Sequence, residues 1–204
     1  MILHDAATKI PSPMISTRLY PSNDFCQRPP ILVDSQNRLT YTEAVLESIR
    51  SSFTEATHLV LAEIGFTAAK ITPVSGNVKE TIDLIASIGL VGQLKGYFIL
   101  RFGTPSATEF VKTLSGSLGM DDADHSDPHF RKAAISEIAN QFGGKAIALL
   151  SEKGMDCMIT PPTVITGNGV DATLPESDDT FEFSIVDSFG SFRCIVALKG
   201  SKPV

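Results

Sequence analysis

Hydrophobic positions along this chain fall into two spacings, one suited to helices and one to strands. Val45, Ile49, Phe53, Ala56, Val60 and Ile64 recur every three or four residues, which places them on one stripe of a helix about five turns long. Thr40 and Glu43 have capping-box spacing ahead of it, and Gly65 predicts its end. A second helix is predicted to open at Pro105 and to bury Ala107, Phe110, Val111, Leu114 and Leu118. Asp127-Pro128 reads as an N-cap followed by proline at the first helical position. The third helix then runs to about Lys153, with Ile135, Ile138, Phe142, Ala146 and Leu149 on one face. Strand spacing marks Ala69–Ile71, Thr81–Leu90, Gly96–Phe102, Asp156–Thr160, Thr163–Ile165, Thr180–Asp187 and Phe192–Leu198. Gly76-Asn77, the stretch Gly92 to Gly96, and Gly167-Asn168-Gly169 supply turns, and Ser188-Phe189-Gly190 closes a hairpin. The predicted fold class is α+β, with long helices packed on a largely antiparallel sheet.

Composition adds limits to this picture. The chain has 204 residues, 43% hydrophobic and 20% charged, enough for one domain with a sizeable core. Pro11, Pro13, Pro21, Pro29 and Pro30 crowd into residues 1–40, so that segment is expected to be an irregular arm with one short strand near Ile31-Leu32-Val33. The domain proper is expected over 41–204: a first half at about 41–102, a connecting helix at 105–118, and a second half at about 127–199. A net charge of -6 disfavours a general grip on nucleic acid or anionic membrane. No apolar run is long enough to span a bilayer, and the N-terminus lacks signal-peptide features. Three cysteines, Cys26, Cys157 and Cys194, do not make a disulfide framework and suit a cytoplasmic location. The acidic run Asp121 to His129 does not match a calcium loop and reads as a linker before a helix N-terminus.

The two long helices carry related centres. Residues 53–58 read Phe-Thr-Glu-Ala-Thr-His and residues 135–140 read Ile-Ser-Glu-Ile-Ala-Asn. Each helix is followed by a similar tail, Ile71-Thr72-Pro73 with Gly76-Asn77 and Ile159-Thr160-Pro161 with Gly167-Asn168. Two stretches in the same order point to duplication, with two pseudo-symmetric helix-plus-strands repeats.

Projected at about 100° per residue from Ile138, Glu137 falls near -100° and Asn140 near -160°, almost opposite the apolar stripe. Three residues apart, they are surface neighbours. Ala133 and Gly144 share their face and Ala148 lies near its edge, so the surface around the pair is nearly bare. Two glycines inside a helix, Gly143-Gly144, cost around 1 kcal/mol each relative to alanine. Close approach of another backbone would account for them. Glu55 and His58 also face away from their helix's apolar stripe.

The stretch Ala134-Ile-Ser-Glu-Ile-Ala-Asn-Gln-Phe-Gly-Gly-Lys-Ala146 resembles the Glu-x-x-Asn helix of the CheX/CheC/FliY family of chemotaxis phosphatases. The run Met158-Ile-Thr-Pro-Pro-Thr-Val-Ile-Thr-Gly167 resembles the strand and turn that follow that helix in CheX. The order of elements is similar from about Leu46 to Leu198, and residues 1–40 are not covered. The resemblance implies a phosphatase acting on the aspartyl phosphate of a CheY-like response-regulator receiver. Asn140 would orient the attacking water and Glu137 would pair with the receiver's active-site lysine. No cofactor is expected in this chain, and magnesium is expected on the receiver. Two-site members carry Glu-x-x-Asn in both halves, whereas the first half here has Glu55-x-x-His58, a degenerate second site at most. A homodimer paired through an exposed sheet edge is also compatible with the family. The alternative reading is a non-catalytic receiver-binding or assembly module on the same fold.

Overall fold

A computed structural model of the chain describes residues 41–74, 81–120, 124–170 and 176–200, together with the backbone of 32–33 and 39–40. Most of the proline-bearing arm, Cys26, the Gly76-Asn77 turn and Asp121 to Ala123 of the acidic run lie outside the described residues. A two-residue ladder, β1 (Leu32–Val33) with β2 (Leu39–Thr40), precedes α1 (Glu43–Glu63). Thr40 is therefore a strand residue and does not cap the helix. The cap is Thr42, whose Oγ1 accepts from the Val45 backbone N–H at 3.4 Å. Gly65, at φ 99°, takes the left-handed turn that ends α1.

After α1 come β3 (Lys70–Pro73), β4 (Leu84–Gly92) and β5 (Gly96–Phe102). α2 (Thr104–Ser117) connects to α3 (Pro128–Glu152), followed by β6 (Cys157–Ile159), β7 (Thr163–Thr166), β8 (Asp179–Asp187) and β9 (Gly190–Leu198). β3 to β9 form one sheet, antiparallel at every pairing, in the order β3-β8-β9-β5-β4-β6, with β7 also on β4. β6 and β7 lie end to end along β4. Pro161 and Pro162 separate them because proline has no N–H for the ladder. Thr160 bridges the gap: its N–H donates to the Gly89 carbonyl, and its Oγ1 accepts from the Gly89 N–H, both at 2.9 Å.

The sheet order makes the duplication visible. Exchanging β3 for β6/β7, β4 for β8 and β5 for β9 reproduces the same order read backwards. A pseudo-twofold axis thus passes between β5 and β9, whose register pairs Ile99 with Ile195. Each half also lends its first strand to the other: β3 pairs with β8, and β6/β7 with β4. Such exchange makes the two repeats one folding unit.

All three helices pack on one face of the sheet. Ile49, Phe53, Phe110, Ile138 and Phe142 from the helices meet Leu84, Ile88, Phe98, Leu100, Phe192 and Val196 from the strands. Alternation turns Ile85, Ile99 and Ile195 to the opposite face, where they form a smaller cluster. Aromatic rings close the end of the core beneath α2: Phe66 stacks on Phe110 at 4.9 Å and Phe189 meets both edge-on at 5.2 Å. Leu118, assigned from the sequence to the α2 stripe, is instead the C-cap residue and 62% exposed, because the helix ends one residue before it.

α1 and α3 run antiparallel. The Lys153 ammonium at the end of α3 donates to Ser52 Oγ at 2.8 Å and Ser51 Oγ at 3.1 Å, near the middle of α1. Further along, Lys145 Nζ stands 3.8 Å from the Glu63 carboxylate at the other end of α1. These contacts run from Ser51 to Glu63 on α1 and from Lys145 to Lys153 on α3, so the stretch of α3 before Lys145 lies beyond them.

Candidate functional site

The second repeat's helix is firmly started. Asp127 Oδ1 accepts from the His129 N–H at 3.0 Å and Oδ2 from the Phe130 N–H at 3.3 Å, while Pro128 needs no partner. Ile135, Ile138, Ala139 and Phe142 are buried, which fixes the rotation of α3. Glu137 and Asn140 are exposed as a result. Ala133 and Ala148 are exposed on the same helix, and Gly144 is partly exposed one turn beyond Asn140.

The two polar side chains have different surroundings. Glu137 Oε1 accepts a hydrogen bond from Gln141 Nε2 at 3.1 Å, and no ion pair neutralises its charge among the described residues. Asn140 has no hydrogen-bond partner within the protein among the described residues. Its carboxamide offers two N–H donors and an acceptor outward. An anionic acceptor and a free carboxamide on adjacent turns of a rigid helix can bind a cation and orient a water. A carboxamide is no general base at neutral pH, so orientation is the chemistry available to it.

The paired glycines separate into two cases. Gly143 is buried, and a Cβ there would stand 3.3 Å from the δ-methyls of both Ile88 and Ile159. Its smallness lets α3 sit close on β4 and β6, so a partner's approach is not its explanation. A Cβ on Gly144 would meet nothing within 4 Å. Only Gly144 is left without an internal reason.

Glu55 and His58 are exposed on α1, with the buried Ala56 and Thr57 between them. They lie 82 residues before Glu137 and Asn140 and occupy the equivalent turns of the first repeat. The structure does not bring the two pairs together: α1 meets α3 between Ser51–Lys153 and Glu63–Lys145, and Glu137 and Asn140 lie on the part of α3 before that stretch.

Two features were missed in the sequence. Gln141 is one, although its i, i+4 spacing from Glu137 is a readable signal. Asp83 is the other. One of its carboxylate oxygens accepts from the Thr104 N–H and hydroxyl at 2.9 and 2.8 Å, capping α2, and the other accepts from the Gly169 N–H at 3.0 Å. These donors, Gly169 foremost, hold its carboxyl below the usual carboxylate range. No local motif announces a contact spanning 86 residues. Burial pushes the Cys157 thiol up to about 11 and raises that of the fully buried Cys194. Among the described residues, no group of three or more His, Cys, Asp or Glu is placed to hold a metal ion. No described helix is long and apolar enough to cross a membrane.

The duplicated α+β fold thus presents Glu137 and Asn140 together on the exposed face of α3. A family model described as chemotaxis phosphatase CheX matches residues 84–185, half of the chain, and the protein belongs to that family. The match contains Glu137 and Asn140 and excludes Glu55 and His58. The CheY-P phosphatase CheX of Thermotoga maritima is 31% identical over 84 residues, 41% of this chain and 52% of that protein. The chain thus spans about half the length of this curated relative. Chemotaxis protein CheX from Desulfovibrio desulfuricans is 27% identical, with a TM-score of 0.61 over 74% of this chain and 99% of that one. A CheX from Borrelia burgdorferi, crystallised with CheY, BeF3 and Mg2+, shares the fold at 19% identity and a TM-score of 0.62, over 74% of this chain and 97% of that one.

Proposed function

We propose that this protein removes the phosphoryl group from the aspartate of a phosphorylated CheY-like receiver domain, working in the cytoplasm where such receivers act. The observation that carries this reading is the exposed Glu137–Asn140 pair on α3, with an unneutralised carboxylate and a carboxamide that has no internal partner. Membership of the chemotaxis phosphatase CheX family supports it, as does the Thermotoga relative's name. The Borrelia structure supports the choice of partner, since it contains a CheX together with CheY.

In this mechanism α3 lays its bare face over the receiver's active site. Glu137 forms a charge-assisted bond to a receiver lysine and sets the docking register. Asn140 enters the site and holds a water in line with the phosphorus–oxygen bond to the aspartate. The water oxygen attacks phosphorus, that bond breaks, and the aspartate carboxylate leaves with inorganic phosphate as the other product. The receiver supplies the magnesium that stabilises the transferring group.

The test times phosphate loss from the CheY-like receivers of the same genome, phosphorylated with acetyl phosphate. Asn140→Ala is expected to lower kcat by about 10²-fold or more, the scale of a lost positioning group, with KM nearly unchanged. Glu137→Ala is expected mainly to raise KM. An Asn140→Ala protein with undiminished kcat would refute the mechanism. Saturable binding of a receiver with no acceleration of phosphate loss would instead favour a non-catalytic receiver-binding module.

A further inference from the structure

We infer that Gln141 is a positioning residue: it holds Glu137 in its docking conformation without neutralising it. This inference rests on the proposed receiver-docking role of Glu137 and extends it to a residue outside the Glu-x-x-Asn pattern. The Gln141 amide donates to Glu137 Oε1 at 3.1 Å, and Oε2 of this exposed carboxylate has no hydrogen-bond partner among the described residues. A carboxylate only accepts, so the amide must present its NH2 side, which fixes both side chains relative to the helix.

The residue type matters as much as the contact. Lysine or arginine four residues after a glutamate is the familiar way to support an exposed helix. Here it would place a cation on the carboxylate that must later meet the partner's cation. A neutral donor orders the glutamate and keeps its full charge. Glutamate is rotamer-rich, and immobilising it before docking removes an entropy cost from the docking step.

The first repeat supplies an internal contrast. The residue equivalent to Gln141 is Leu59, an apolar, half-buried side chain, and Glu55 has no amide beside it. The carboxylate-holding contact therefore exists only in the half that also carries the asparagine.

The experiment measures dephosphorylation of acetyl-phosphate-treated CheY-like receivers by full-length Gln141→Met and Gln141→Lys proteins, beside wild type and Glu137→Ala. Gln141→Met keeps shape and removes the donor, and should raise KM about two- to fivefold with kcat unchanged. Gln141→Lys should raise KM further by competing for Glu137, while its thermal midpoint stays at or above wild type. A merely structural glutamine would shift the midpoint and leave KM alone. Wild-type KM in both variants, with Glu137→Ala impaired, overturns this inference only. Failure of wild type to accelerate phosphate loss from any receiver overturns the docking-and-hydrolysis reading and this inference with it.

Discussion

Gly144→Ala sets fold stability against function. The position lies inside a 25-residue helix, where glycine costs about 1 kcal/mol relative to alanine because more backbone freedom is lost on folding. A Cβ there meets no atom within 4 Å outside the helix's own backbone, so no packing penalty offsets the gain. The substitution should stabilise the protein by about 0.5–1 kcal/mol, equivalent to roughly 1–4 °C in thermal midpoint for a chain of this size. On a helix, Gly144 sits about 6 Å along the axis from Asn140 and within about 40° of it. A receiver lying over Asn140 and Glu137 would therefore meet the new methyl. KM for phosphorylated receiver should rise several-fold although the fold is stronger. Gly143→Ala is the control: its Cβ would press on the Ile88 and Ile159 methyls at 3.3 Å, so it should be less stable than Gly144→Ala by about 1 kcal/mol or more. Differential scanning calorimetry and receiver dephosphorylation, run on the same preparations, measure both effects. Stabilisation with unchanged KM would refute the docking face. A destabilised Gly144→Ala would refute the claim that the site is open.

Two further outcomes follow from titratable groups. Asp83 has a folded-state carboxyl held low by the Gly169 and Thr104 donors, so it stabilises the fold above the ordinary carboxylate range and loses that effect as pH falls through the lowered value. Asp83→Asn should cost about 1 kcal/mol at pH 7, the scale of a lost helix cap, and much less near pH 2; urea unfolding giving the same loss at both pH values would contradict this. Cys157, with its thiol near 11, and the buried Cys194 should both resist iodoacetamide at pH 8 in the native protein and react once it is unfolded. Rapid native labelling of either, read by peptide mass mapping, would show that the burial is wrong.

Helix and strand identities were legible because the core is built from regular spacing. Val45 to Val60 and Ile135 to Ala146 are buried along the stripes the sequence shows, and Gly96–Phe102 is a strand over those same residues. Boundaries depended on contacts that are not local. Thr40 and Thr42 both precede Glu43, and the pairing of Thr40 with Leu32 decides that Thr42 becomes the cap. Leu118 has helical spacing, but the chain leaves α2 before its side chain can reach the core. The candidate site was readable as a face, since periodicity alone turns Glu137 and Asn140 outward. Its finer physics was not: Gly143 and Gly144 are identical in sequence, and only the strands beneath α3 distinguish a packing glycine from an open one. Asp83 could not be found at all, because its partners come from two distant turns.

The pseudo-twofold fold raises the question of why two equivalent helices should not make two equivalent sites. Each has an outward glutamate followed three residues later by a polar side chain, so restoring the asparagine by His58→Asn is the direct test. The surrounding surface argues that it will fail. α3 continues fifteen residues past Glu137, whereas α1 ends eight past Glu55 and turns at Gly65. At the positions equivalent to Ala133, Gly144 and Ala148, the first repeat has Ser51, Ala62 and the buried Phe66 beyond the helix end. Ser51 is already engaged by Lys153, and Leu59 replaces the glutamine that holds Glu137. The first face is thus shorter, more crowded and without an ordered carboxylate. In an Asn140→Ala background, His58→Asn should recover less than about one-tenth of wild-type kcat/KM, a deficit worth more than about 1.4 kcal/mol of transition-state stabilisation. Recovery to near wild type would show that the asparagine alone makes the site, and that the bare face, Gly144 and Gln141 contribute nothing to it.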